Sequence, residues 1–107
     1  MAVTLRTKRP DAILRQIADV LREYEKKHPR ADIDIYRQNS VAVRVRVVNP
    51  EFARVSRAER EDEVIALIEK LPEDVIAEVS LLLLLTPEEA KKSIANLEFD
   101  NPIPSKI

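Results

Sequence analysis

The sequence predicts an α+β domain with the element order α-β-β-α-β-α, built as a three-stranded mixed sheet with its helices on one face. Three observations carry this. Val41, Val43, Val45 and Val47 alternate with Ala42, Arg44 and Arg46, the period of a strand with one dry and one wet face. Ile13, Leu14, Ile17, Val20, Leu21 and Tyr24 recur at helical spacing. Ser56-Arg57-Ala58-Glu59 and Thr86-Pro87-Glu88-Glu89 each read as a helix start, a capping side chain followed three residues later by Glu.

The elements follow in order. Residues 1–10 are polar and basic, with Arg6, Lys8 and Arg9, and read as a flexible arm. Asp11 suits the N-cap of the first helix. Lys26, Lys27 and His28 end that helix with cations in its last turn, and Pro29 stops it because the residue before a proline avoids helical geometry. Ile33 and Ile35 alternate with Asp32, Asp34 and Tyr36 as a strand over 32–37. Gln38-Asn39-Ser40 turns the chain into the second strand, 41–48, which Asn49-Pro50 ends. The second helix, from Ser56, turns Val64, Ile65, Leu67, Ile68 and Leu71 inward until Pro72.

The apolar run from Ile76 to Leu85 reads as a third strand over 77–85, near the sheet centre and buried on both faces. A buried helix is the competing reading, but the cap at Thr86 starts a new helix and sets Leu81–Leu85 apart from it. The helix between strands two and three makes a right-handed crossover, so those strands run parallel. One domain is expected over 11–97, its last helix running to about Asn96. Residues 98–107, with Pro102 and Pro104, read as an extended tail.

Composition narrows the function. The chain has 107 residues, the length of one domain, and 45% hydrophobic residues are enough for a core. It has no Cys, which excludes disulfides, thiolate metal sites and a Cys nucleophile. His28 is its one histidine, too few for a His-built zinc site. It has no Gly, so neither a Walker loop nor a dinucleotide-binding loop can form. The net charge of −1 hides an asymmetry: residues 1–60 hold 14 Lys and Arg against 8 Asp and Glu, and residues 61–107 hold 4 against 11. No apolar leader opens the chain. Leu81–Leu85 falls far short of the ~20 residues that span a membrane. A cytoplasmic protein that makes no membrane contact is expected.

Phe52, Ser56, Arg60 and Val64, each four residues apart, precede Thr86-Pro87-Glu88-Glu89 by a fixed strand and loop. In this order and spacing residues 12–93 resemble the BolA-like family, a small fold related to type II KH domains. The resemblance implies a non-enzymatic adaptor. Members partner with monothiol glutaredoxins around a shared iron–sulfur cluster, and some are described as DNA-binding regulators. The family's cluster role uses a His after the Arg. Here Glu61 follows Arg60, and a hard carboxylate is a poor ligand for a cluster iron, so no cofactor is expected. The GxxG loop of KH domains is missing as well.

Arg37, Arg44, Arg46, Arg54, Arg57 and Arg60 gather six cations against Glu51 and Glu59. Arg44 and Arg46 share a strand face roughly 7 Å apart, where planar guanidinium forks suit phosphates or carboxylates. With Phe52 they are the candidate partner-binding residues. A protein partner ranks ahead of a nucleic acid, because the net charge is not basic and Tyr36 alone could stack a base from the sheet. No catalytic or metal-binding residue is expected. Glu59, Glu61, Asp62 and Glu63 occupy neighbouring helical positions that point in different directions, and His28 reads as a helix-end residue. Leu81–Leu85, if exposed at a sheet edge, would offer a homodimer contact.

Overall fold

The computed structural model describes residues 2–7 and 11–101. The described elements are β1 (Ala2–Leu5), α1 (Ala12–Lys27), β2 (Asp32–Asn39), β3 (Ala42–Val48), a 3₁₀ turn (Pro50–Arg54), α2 (Arg57–Ile68), α3 (Glu73–Ile76), β4 (Val79–Leu85), α4 (Pro87–Lys92) and α5 (Ile94–Asp100). The sheet order is β1-β2-β3-β4. β2 and β3 form an antiparallel hairpin, and β4 lies parallel to β3, as the crossover rule requires.

The sheet has four strands, not three. β1 pairs parallel to β2, with Val3 opposite Ile33 and Leu5 opposite Ile35. It falls inside the segment read as an arm. Four residues beside Arg6, Lys8 and Arg9 carry too little local pattern to announce a strand, and the pairing that fixes it is non-local. Lys8–Pro10 and Pro102–Ile107 lie outside the described residues, so the remainder of the expected arm and tail is not described. β4 closes the sheet as an edge strand instead of a central one, with Leu81–Leu84 half-buried.

Alternation sorts the sheet into two faces. Ile33 and Ile35 of β2, and Val43, Val45 and Val47 of β3, point to one side and are at most 1% exposed. Leu14, Ile17, Ala18 and Leu21 of α1 and Val64, Leu67 and Ile68 of α2 cover them. Leu82 and Leu84 join this side opposite Val45 and Val47. Val41, expected to begin this stripe, instead lies in the hairpin turn, where its N–H donates to Asn39 Oδ1 at 2.9 Å and its side chain is 60% exposed.

The caps form where the sequence puts them. Asp11 accepts from Leu14 N–H at 2.9 Å, and Ser56 Oγ from Glu59 N–H at 3.2 Å. Thr86 and Glu89 complete a reciprocal capping box at 3.1 and 2.9 Å. The last helix is two short ones, broken at Ser93, whose extended backbone caps α5 through Oγ on Asn96 N–H. α5 therefore takes in residues 98–100 of the expected tail. It packs on the face of the sheet opposite α1 and α2, so helices cover both faces and not one. Its contacts decide the fate of the arginine face.

Candidate functional site

The seven candidate residues divide into a closed set and an exposed set. Arg44 and Arg46 lie on the α5 side of β3, and their side chains are only 13% and 10% exposed. Arg44 Nη1 donates to Glu98 Oε2 at 2.5 Å. Arg46 donates to Asp34 at 2.6 Å, to Asp100 at 2.9 Å and to the Asn96 amide oxygen at 2.9 Å. Its guanidinium lies 4.7 Å from the Phe99 ring centroid. The hydrogen bond from Arg44 to Glu98 raises the guanidinium pKa further above its ordinary value. The face expected to be wet is thus covered, and its cations are spent on carboxylates within the chain.

Arg37 is closed too. It joins Asp11 at the start of α1 to Glu78 ahead of β4, both at 2.8 Å, and also donates to the Asn39 and Ser40 carbonyls in the hairpin turn. Arg60, one turn into α2, is 6% exposed. It donates to the Phe52 and Leu84 carbonyls and to both oxygens of Glu89. Phe52 is 4% exposed, with the Arg60 guanidinium 5.3 Å from its ring centroid. Arg46 and Arg60 share a further feature: each has a buried Nε with no hydrogen-bond partner. Each also lies over an aromatic ring, so cation–π attraction offsets part of the unmet donor.

Arg54 and Arg57 are the two exposed members. Arg57 is 78% exposed and stands 4.0 Å from Glu89. Between them Val55 is exposed as well. Arg54 and Val55 border a cavity of about 410 Å³. Its depth is formed by buried Tyr24, Asn49 and Phe52, and Glu59 stands exposed among its lining. Asn49 holds this corner together. Its amide donates to the Tyr24 hydroxyl at 3.0 Å, and its oxygen caps the 3₁₀ turn through Glu51 N–H at 3.0 Å. Burial pushes the Tyr24 phenol above its ordinary pKa.

His28 lines the same cavity. It caps the C-terminus of α1, its N–H on the Tyr24 carbonyl, as a helix-end residue should. Sequence reasoning did not find its side-chain partners. Nδ1 sits 3.3 Å from Glu51, and Nε2 sits 2.9 and 3.0 Å from the two Glu63 oxygens. A carboxylate faces each ring nitrogen. Partners 23 and 35 residues away leave no local signal. Among the described residues no group of three or more His, Cys, Asp or Glu is arranged to hold a metal ion. Among them, also, no helix is long and apolar enough to cross a membrane.

No family model, no curated protein and no solved structure matches the chain.

Proposed function

We propose that the protein is a non-catalytic interaction module, BolA-like in layout, that takes a protein partner at the corner between the 3₁₀ turn and the start of α2. The observation that carries this is the exposure of Arg54 and Val55 at a cavity of about 410 Å³, and of Arg57 two residues on, while the other arginines of the candidate set are tied within the chain. An apolar anchor with a charged rim is the composition of a small interface centre. A complementary partner places an apolar side chain at the cavity, with acidic groups towards Arg54 and Arg57 and a basic group towards Glu59. The cavity lining has no Cys, Ser, Thr or Lys nucleophile, and His28 is held by two carboxylates. This favours binding over catalysis.

The BolA-like reading draws on the order α1-β2-β3-3₁₀-α2-β4-α4 and on what the motif residues do. Ser56 caps α2, Val64 is fully buried, and Phe52 and Arg60 stack. The sheet face, the other half of the expected surface, lies under α5. The nucleic-acid alternative has less support, because Arg37, Arg44, Arg46 and Arg60 all serve carboxylates.

A photo-crosslinking residue at position 55 tests the proposal, with position 41 as the control at a more open site. Expected in nuclease-treated lysate is a discrete protein adduct at 55, absent at 41 and lost with Arg54→Glu/Arg57→Glu. The same adducts at both positions, or adducts that survive the charge reversal, refute this docking site. Adducts that vanish with nuclease move the partner to a nucleic acid.

A further inference from the structure

α5 turns Phe99 and two carboxylates to the sheet and leaves its aliphatic residues outside. Its acidic residues Glu98 and Asp100 engage the sheet, while Ile94 and Leu97 are 82% and 61% exposed. What holds it is a set of ligand-like contacts. The Phe99 ring is fully buried, edge-on to Tyr36 at 4.8 Å between centroids, with the guanidiniums of Arg46 and Arg6 at 4.7 and 5.5 Å. Carboxylates flank the ring: Glu98 pairs with Arg44, and Asp100 pairs with Arg46 and Arg6. The Tyr36 hydroxyl donates to the Phe99 carbonyl at 2.8 Å.

One aromatic ring flanked by two anions, seated on an arginine and tyrosine sheet face, has the chemistry of a base between two phosphates. We propose that α5 is a built-in occupant of a binding site for single-stranded nucleic acid, and that the strand binds by displacing it.

Three further observations support this. An open cavity of about 350 Å³ adjoins the seat, lined by Arg6, Thr7, Tyr36, Arg37, Phe99 and Asp100. It gives a phosphate and a base a foothold beside α5 before α5 leaves. The occupant is also an imperfect ligand, since Arg46 Nε keeps an unmet donor beneath it. Finally, the length and joint of α5 favour its release. Seven residues are far below the length at which a helix holds itself, the extended Ser93 joins it to α4, and α4 buries no residue.

The charges choose the ligand class. The seat sets Arg6, Arg44 and Arg46 against Asp34, Glu98 and Asp100, so it is balanced only while α5 is in place. An acidic peptide in trans would compete with a tethered segment of the same chemistry at an effective concentration of about millimolar. A strand with a phosphate on every nucleotide brings denser charge and gains from counterion release. The site is separate from the corner at Arg54–Arg57, so either proposal can fail alone.

The test uses full-length chain and fluorescein-labelled oligo(dT) and oligo(U) of about a dozen nucleotides, read by anisotropy at about 50 and about 200 mM salt. Glu98→Gln/Asp100→Asn is expected to bind at least about tenfold tighter than wild type at the lower salt and to weaken steeply at the higher. Adding Arg44→Glu/Arg46→Glu abolishes binding. Glu61→Gln/Asp62→Asn, which removes equal charge from the exposed start of α2, leaves affinity at the wild-type level. Circular dichroism and a thermal melt check folding, and Glu98→Gln alone replaces the double variant if that does not fold. Equal affinity of the α5 variant and wild type overturns the proposal, as does binding that survives Arg44→Glu/Arg46→Glu. Capture of a labelled 93–101 peptide without capture of either oligonucleotide overturns the ligand class.

Discussion

Arg60 and Glu89 meet in a bidentate ion pair, Nη1 to Oε1 at 2.6 Å and Nη2 to Oε2 at 3.3 Å, from an arginine only 6% exposed. The same guanidinium holds the Phe52 carbonyl before α2 and the Leu84 carbonyl at the end of β4. One side chain thus joins the 3₁₀ turn, α2, β4 and the capping box of α4. Arg60→Ala is expected to cost about 2 kcal/mol. Breaking a fully buried pair costs ~3–5 kcal/mol, but Glu89 is a third exposed and rehydrates. Arg60→Lys recovers less than half, because an ammonium cannot make the fork. Urea unfolding of the three proteins measures both.

Glu89 makes this pair sensitive to acid. Its hydrogen bond from Arg60, followed by that from Thr86 N–H, lowers its pKa from 4.5 to about 2. A carboxylate depressed in the folded state contributes stability that is complete above its unfolded pKa and is lost as pH falls through its folded one. Asp11 acts in the same direction, lowered first by the Leu14 N–H. Wild-type urea midpoints are therefore expected to fall between about pH 4.5 and about pH 2. Glu89→Gln should show a shallower fall over that window. Equal slopes in the two proteins would remove Glu89 from the acid response.

What was legible in the sequence was what is local. Asp11, Ser56 and Thr86 cap within three residues of themselves, and the alternation around Val43–Val47 sorts β3 into faces without reference to any other element. The parallel β3–β4 pair followed from the handedness of one crossover. Two features were hidden because their cause is distant. β1 exists through pairing with Ile33 and Ile35, some thirty residues on. α5 turns only Phe99 of its large apolar residues inward, so Leu97 and Ile94 gave no hint of its seat. Hence the strand pattern identified the face of Arg44 and Arg46 correctly but gave no sign of its cover. Arg60 misled for a related reason: an arginine in a basic stretch looks solvated, and only Glu89 and two carbonyls explain its burial.

The Tyr24–Asn49 hydrogen bond sits under the proposed docking corner, and both residues are 1% exposed. Tyr24→Phe leaves one amide hydrogen of Asn49 without a partner and should cost about 1–2 kcal/mol. Asn49→Ala should cost more, because it also removes the cap on Glu51 N–H. A double-mutant cycle of the two, read by urea unfolding, should give a coupling of about 1 kcal/mol. Additive effects would place the cost in packing and not in the bond.

α5 is expected to open below the global unfolding free energy, while Arg60 keeps the start of α4 tied to α2. Phe99 and Asn96 are the buried residues of α5, and neither belongs to the main core cluster on the far face of the sheet. The remaining ties of α5 are the hydrogen bonds from Tyr36 to the Phe99 carbonyl and from Arg46 to Asn96, and ion pairs that reach solvent, with Asp100 39% and Glu98 33% exposed; salt weakens such pairs. In hydrogen exchange the amides of 94–100 should therefore exchange faster than those of α1, β2 and β3, and faster still when salt is added. Phe99→Ala should raise exchange across α5 while leaving α1 and the hairpin core unchanged. A uniform increase through β3 and α1 would mean that α5 is part of one cooperative unit with the core, and the arginine face would then open only when the whole domain unfolds.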